Sequence, residues 1–523
     1  MSTLLETHAA GRPSVPVAPD ERTEPFASRA RDWRTGATVY QVFVDRFARP
    51  HDLDAKRDRY AAPRTLVDDW GRAPKRGTRN PEIGCNTAEL EFWGGDLASL
   101  RDRLDHIASL GAEVLYLNPI FEALTNHKYD ATDYFAISPE FGTSADLTAL
   151  ADDLHARDMK LVLDGVFNHT GGTHPRFVEA MANPESPWRE HYVIDAAHPN
   201  GYRSWFNVPN LPELNLEHPP VREELWEGAE SVVRRWLERG ADGWRLDVAY
   251  DLGFEHLRAI SDAAHETKPG SLVVGEIWSY PDRWMRAMDG VLNFHAQAIL
   301  YTYVKGGMSG QHASALLQTM VDDAGLDAVL RSWLILDNHD TPRVGHVLPD
   351  QEVRRLAQVL QFTLPGAPLL YYGVELGVHG GPDPGNRSTM PWHLLEDEDE
   401  AALDELTWMR SLVELRSAHP ALRFGEFQTL HAEHVLAFQR TTDRRSELMV
   451  VVANPSGRTV HDVVQVRDPR QMSYTPMVCA ISGDEARLES GLMHLSVPPR
   501  SARVFSATEI EAGRYSPYKR QGA

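Results

Sequence analysis

Cysteine is almost missing from this chain: 523 residues contain two, Cys85 and Cys479. They lie far apart and in no metal-type spacing, which excludes a disulfide framework and a cysteine-bound metal as organising devices. Long apolar runs are absent too, so no segment reads as a membrane span. The opening stretch, MSTLLETHAAGRPSVPVAPDERTEP, has neither the basic start nor the apolar core of a secretory leader, and the cytoplasm is the expected location. Positive charge is in deficit, with 53 Lys and Arg against 75 Asp and Glu and a net charge of −22. Phosphate groups would be repelled, so neither nucleic acid nor an anionic membrane is expected as a partner. A neutral ligand such as a sugar suits this balance, although most of the acidity serves solubility. Internal repeats are missing, and the acidic run LLEDEDEAALDEL reads as a solvated helix face.

What is present is an alternation. The run ATVYQVFVDRF is a short β-branched and aromatic strand. The pattern then resumes as helix LASLRDRLDHIASLG, strand EVLYLNPI, helix DLTALADDLHARDM and strand KLVLDGVFN. Further on come the helix ELWEGAESVVRRWLERG, the strand ADGWRLDVA, the helix FEHLRAISDAAHETKPG and the strand SLVVGEIW. DGVLNF, SWLILDN and PLLYYG supply three more strands. Each is short and apolar until a polar residue at its C-terminal end, as parallel strands buried on both faces should be. Eight such strands with helices between them predict an α/β fold, a (β/α)₈ TIM barrel.

The remainder divides around this core. Residues 1–35 read as a loosely docked tail. The barrel is expected over 36–169 and 221–425, interrupted by a small irregular subdomain at 170–220 after the third strand. Residues 426–510 carry β-type runs without helices, a C-terminal antiparallel β-sandwich domain, and 511–523 form a second tail. The polar stretch from Ala48 to Glu91 reads as a long excursion to which no function attaches.

Polar residues at the strand ends carry the chemistry. Asp164, Asn168 and His169 close the third strand, Arg245 and Asp247 the fourth, Glu276 the fifth, and Asn338, His339 and Asp340 the seventh. In a TIM barrel these ends face one cup. Burying four acids together is costly, so a functional reason outweighs a structural one. Paired carboxylates are the equipment for glycosidic bond cleavage, one attacking the anomeric carbon while the other protonates the leaving oxygen.

The runs LDGVFNH, GWRLDVA, VVGEIW and ILDNHD resemble, in order, the four signature regions of the α-amylase family, glycoside hydrolase family 13. The resemblance covers about Thr38 to Thr508. It implies a retaining α-glucoside hydrolase with Asp247 as nucleophile, Glu276 as general acid/base and Asp340 as the third acid. It further implies that Asp164, His169, Arg245 and His339 surround the sugar at the cleaved bond. In NHKYD, Tyr129 resembles the aromatic that stacks on that sugar, with His127 beside it. In GGPDPGNRSTMPW, Asp383 and Arg387 resemble the pair that holds the next glucose toward the non-reducing end. Arg245 is expected to keep Asp247 ionised.

FWGGDL, NHKYD, the Val248–Ala249 pair and GEIW resemble the neopullulanase, cyclomaltodextrinase and maltogenic amylase group. That group cleaves α-1,4 and some α-1,6 links in maltooligosaccharides, cyclodextrins, pullulan or starch. A barrel starting near Thr38 leaves no room for the group's extra N-terminal β domain. A transglycosylase or isomerase of the same fold, such as an α-glucanotransferase or trehalose synthase, is the alternative. A catalytically silent binding protein is a third reading, against which all three acids stand. The reaction needs no cofactor and no catalytic metal. Where related amylases bind structural calcium, Asn168 is retained, Glu213 stands for an Asp and Asp251 for a His. That leaves room for a structural calcium ion. No segment specifies an oligomeric state.

Overall fold

The computed structural model describes residues 24–507. Eight parallel strands close into a barrel in the ring order β1-β8-β7-β6-β5-β4-β3-β2. They are β1 (Val39–Val42), β2 (Val114–Leu117), β3 (Lys160–Gly165), β4 (Gly243–Leu246), β5 (Leu272–Ile277), β6 (Gly290–Asn293), β7 (Trp333–Ile335) and β8 (Ala367–Tyr371). All eight expected strands are found. Closure is made by β1, which pairs Val39 with Val114 on one side and Leu369 on the other. Side chains such as Tyr116 and Trp333, whose ring centroids lie 5.1 Å apart, fill the interior, so the barrel is a packed core and the cup lies only at its rim.

Several helices break where the sequence has reason to break them. The expected helix ending at Gly111 is split into Leu97–Arg101 and Leu104–Ser109. The one before β4 runs through a π-turn, Glu223–Glu227, stops at Gly228 and restarts at Val232–Glu238. Part of the expected N-terminal tail is ordered: Glu24–Arg31 is helical, and Arg29 pairs with Asp327 and Glu426. Residues 1–23 and the expected tail at 511–523 lie outside the described residues.

The C-terminal region forms one antiparallel sheet of eight strands, curled around its own core. They are β9 (Glu426–Thr429), β10 (Leu436–Thr441), β11 (Met449–Asn454), β12 (Val460–Gln465), β13 (Pro476–Cys479), β14 (Glu485–Glu489), β15 (Leu492–Val497) and β16 (Ser501–Ala507), in the order β9-β10-β11-β16-β13-β14-β15-β12. A sandwich of separate sheets was the expectation; the hydrogen-bonded ladder is continuous. β11 is apolar up to its last residue, Asn454, because both faces are covered. Met449, Val451 and Ala453 join the barrel's core, and Val450 and Val452 the sheet's own. β12, with one face in water, alternates buried and exposed residues. Arg440 fastens the sheet to the barrel by donating to the carbonyls of Thr363, Leu422 and Gly425.

The polar excursion is also tied down. Trp70 donates its indole N–H to the Met390 carbonyl, and Thr389 donates to the Trp70 carbonyl. The Asn126 amide donates to the carbonyls of Ala88 and Glu91. The excursion therefore lies against the loops that follow β8 and β2. Among the described residues no helix is long and apolar enough to cross a membrane.

Candidate active site

The cup is organised by one guanidinium. Arg245 is fully buried at the end of β4, and its Nη1 donates to Asp247 Oδ1 at 2.8 Å and to Asp164 Oδ1 at 2.9 Å. Its Nη2 lies 2.8 Å from Glu276 Oε2. Three carboxylates from β3, β4 and β5 thus share one positive charge. An arginine suits this position because its planar fork stays charged and reaches several acceptors at once.

Glu276 is held from two further directions. The Val248 backbone N–H donates to Oε2 at 3.1 Å, and the Trp278 indole N–H donates to Oε1 at 2.7 Å. Val248 reaches that contact from the left-handed region, with φ at 47°, an uncommon and costly place for a β-branched residue. The chain thereby turns directly after Asp247 and aims both the carboxylate and the following N–H into the cup.

A second network stands on β1, β2 and β7. Gln41 donates to Asn118 Oδ1 at 2.9 Å and lies 2.8 Å from His339 Nδ1. With its amide facing Nδ1, the other ring nitrogen of His339 carries the proton and faces Asp340 Oδ2 at 3.0 Å. Tyr129 lies parallel to the His339 ring, with centroids 5.3 Å apart, and donates to Asp164 Oδ2 at 2.9 Å. Arg387 places Nη2 3.5 Å from Asp340 Oδ1 and Nη1 3.2 Å from Asp383 Oδ1. His127 approaches the cup beside Tyr129, and its Nε2 lies 3.7 Å from Glu89. Asp383 is half exposed, farthest out on this chain of contacts.

Burial and charge set the protonation pattern. Burial pushes the Asp247 carboxyl well above its ordinary value; Arg245 pulls it down, while Glu276 and Asp164 push it up again. The sequence led us to expect Arg245 alone to keep Asp247 ionised. One cation is shared among three buried acids, so its pull on Asp247 is opposed by burial and by two neighbouring carboxyls. Asp340 behaves oppositely: burial works against its charge, yet His339, Arg387 and Arg245 hold it well below the usual carboxylate range. Burial lowers His169 to about 3, so it is neutral. Its Nε2 and the Asn338 Nδ2 are buried without a hydrogen-bond partner.

All eleven residues singled out in the sequence come to the barrel mouth. Sequence reasoning missed Gln41, Asn118, Glu89 and the tethering role of Trp278. The first two obey the rule that found the others, a polar residue closing an apolar strand. Glu89 carried no such signal, because it comes from the excursion.

Of the residues considered for calcium, Glu213 and Asp251 both face Arg203. Glu213 Oε2 lies 2.5 Å from Arg203 Nε, and burial raises the pKa of Asp251 while the same guanidinium pulls against the rise. No group of three or more His, Cys, Asp or Glu among the described residues could hold a metal.

A family model described as "Alpha amylase, catalytic domain" matches residues 41–410. A cyclomaltodextrinase from a Bacillus species is 34% identical over 444 residues, 82% of this chain and 74% of the relative. Neopullulanase 2 of Thermoactinomyces vulgaris is 31% identical over 498 residues, 92% and 79% of the two chains. Among solved structures, the cyclic α-maltosyl-(1→6)-maltose hydrolase of Arthrobacter globiformis, in complex with that sugar, superposes with a TM-score of 0.75 at 29% identity, covering 91% of this chain and 99% of the other.

Proposed function

This chain belongs to the α-amylase catalytic-domain family and is a glycoside hydrolase, and from that premise we propose a double displacement in which Asp247 and Glu276 exchange one proton and one sugar. Asp247 attacks the anomeric carbon while Glu276 delivers a proton to the glycosidic oxygen; the C–O bond breaks and the shortened sugar leaves. Glu276 then takes a proton from water, the water oxygen attacks the anomeric carbon, and the bond to Asp247 breaks. Asp340, ionised beside His339 and Arg387, accepts from hydroxyls of the distorted sugar. The unpartnered His169 Nε2 and Asn338 Nδ2 are ready for others. The aromatic face of Tyr129 suits the apolar face of a pyranose.

One observation carries this reading: a single guanidinium touches both Asp247 and Glu276. Carboxyls bridged in this way fit the separation of about 5–5.5 Å used for retention, without the wider gap that inversion needs for water. The mechanism requires Glu276 to carry a proton when the bond breaks. Substrate entering between the two acids, with its glycosidic oxygen against Glu276, favours that placement.

The substrates we infer are α-1,4 links of maltooligosaccharides and cyclodextrins, with α-1,6 links of pullulan or of a cyclic maltosyl-maltose as a second class. The names of the relatives favour hydrolysis over transfer or isomerisation. Two free buried cysteines agree with a reducing cytoplasm. We further propose that no calcium is required, because Arg203 supplies the positive charge between subdomain and barrel.

Wild type and Asp247→Asn, incubated with maltotriose, β-cyclodextrin and pullulan, test the assignment. Ring opening and short products should come from wild type alone, with the variant reduced by about ten-thousand-fold or more. Full activity in the variant would remove Asp247 from the mechanism.

A further inference from the structure

The loops after β7 and β8 are joined at the point where Asp340 stands. Asn386, wholly buried in the β8 loop, spends both side-chain N–H groups on the β7 loop. Its Nδ2 donates to the His339 carbonyl at 2.7 Å and to the Thr341 carbonyl at 2.9 Å. These belong to the residues directly before and after Asp340. Arg387 Nε donates to the first of them as well, at 2.9 Å. Contacts also run the other way: Arg343 donates through its backbone N–H to the Gly380 carbonyl at 2.9 Å, and through Nε to the Asn386 carbonyl at 2.8 Å.

Inside the β7 loop, the Asn338 side-chain oxygen accepts from the backbone N–H groups of Asp340 and Thr341, both at 3.0 Å. The peptide unit before Asp340 is thus held at its carbonyl and at its N–H. The unit after it is held at its N–H, and the next at its carbonyl. The platform beneath is stiff. A Cβ on Gly380 would meet the Gly385 carbonyl oxygen at 2.3 Å and Asn386 Cα at 2.9 Å, so the limbs of the β8 loop already touch.

We propose that Asn386 is a positioning residue for the third acid, its amide fork fixing the backbone on both sides of Asp340 so that the carboxylate meets the distorted sugar. The inference rests on the role given to Asp340 in the proposed mechanism. Of the polar side chains of this size, an amide alone offers two donors from one nitrogen; aspartate at pH 7 offers none. The other end of the amide shows what the position is for. Asn386 Oδ1 is buried without a hydrogen-bond partner, a cost that an apolar side chain of the same shape would avoid. The position bears that cost for its two donors.

The fork acts on place rather than on charge. His339, Arg387 and Arg245 keep Asp340 ionised whether or not Asn386 is present. A carboxylate that strengthens its hold as the sugar distorts contributes to kcat more than to KM. A displacement of about 1 Å in such a group can cost on the order of a hundredfold.

The test is a double-mutant cycle on α-maltosyl fluoride, whose fluoride departs easily and keeps weak variants measurable. Asn386→Leu preserves the volume and removes both donors. Alone it should lower kcat about a hundredfold with KM little changed. Added to Asp340→Asn, which has already lost the group being positioned, it should lower kcat only slightly further. The same hundredfold loss in both backgrounds would make Asn386 a general support of the fold, and an unimpaired single variant would leave the fork without a role. If Asn386→Leu does not fold, Asn386→Ser, which retains one donor, enters the same cycle with the same two readings. An Asp340→Asn enzyme as fast as wild type would instead remove Asp340 from the proposed mechanism.

Discussion

The two flanks of the cup are built from different chemistry. The flank over β8, β1 and β2 is a lattice of ion pairs and amides: Arg387 with Asp340 and Asp383, Arg46 with Asp45, Gln41 with Asn118. The flank over β3, β4 and β5 presents aromatic rings to solvent. Trp278 is 59% exposed and stacked on Phe294 at 3.6 Å; Tyr250 is 59% exposed against Trp284; and Phe206 is 81% exposed beside Trp205. Directional hydrogen bonds fix a sugar in one pose, while ring faces accept many poses at little cost. Under the proposed mechanism, the contrast assigns the part of the substrate held through the covalent step to the directional flank. The part that leaves, and the water or sugar that replaces it, meets the tolerant one.

The strongest way to break that contrast is at Trp278, which belongs to both chemistries. Trp278→Phe keeps a ring on Phe294 and removes the N–H from Glu276; Trp278→Ala removes both. We expect kcat/KM on maltotriose to fall about tenfold in the first, as for one hydrogen bond to a charged acceptor, and further in the second. The ratio of transfer to hydrolysis products should change only in the second. If both variants lose transfer equally, the ring face is not what receives the acceptor.

Next in size is an acid effect confined to the aromatic flank. Burial lowers His169 to about 3 and His174 and His191 to about 4, all at or within the inserted subdomain. The unfolded chain binds protons at these sites near pH 6.5, the folded chain only far below. Their contribution is therefore intact above about pH 6.5 and is lost progressively as pH falls toward 4. Melting temperatures from pH 8 to 4 should decline through that window. His174→Asn retains the oxygen that can cap the helix at Arg176 and should flatten the slope; an unchanged slope assigns the acid sensitivity elsewhere.

The smallest expected effect is none. A chelator should leave both melting temperature and activity where they are, because on the reading proposed above Arg203 of the subdomain, facing Asp251 of the barrel, supplies the positive charge there. A fall restored by added calcium would contradict this. Arg203→Ala should lower the melting temperature by a few degrees.

How far this was legible in sequence differs between the flanks. Parallel strands are apolar until they emerge, so Asp164, Arg245, Glu276 and His339 stand out against their neighbours. The same rule extended to VYQV and EVLYLNPI would have found Gln41 and Asn118. The excursion is different. Glu89 sits in a polar stretch where nothing contrasts with it, and its place depends on Trp70 and Asn126 contacts made with distant loops. The upward push on the Asp247 carboxyl was out of reach for a related reason. Pairing with Arg245 is visible as a spacing of two, but the competition of Glu276 and Asp164 for the same charge exists only once three strands close together.

That competition has a cost outside catalysis. Three buried carboxylates around one guanidinium repel one another in the empty enzyme, and an amide at Glu276 or Asp164 would ease the strain. A population of this chain selected for heat resistance alone would be drawn toward such replacements and would arrive at sturdier, inert proteins. Selection that alternates heat with growth on a glucan would have to find its stability elsewhere, in the C-terminal sheet or the outer helices, and leave the crowded acids as they are.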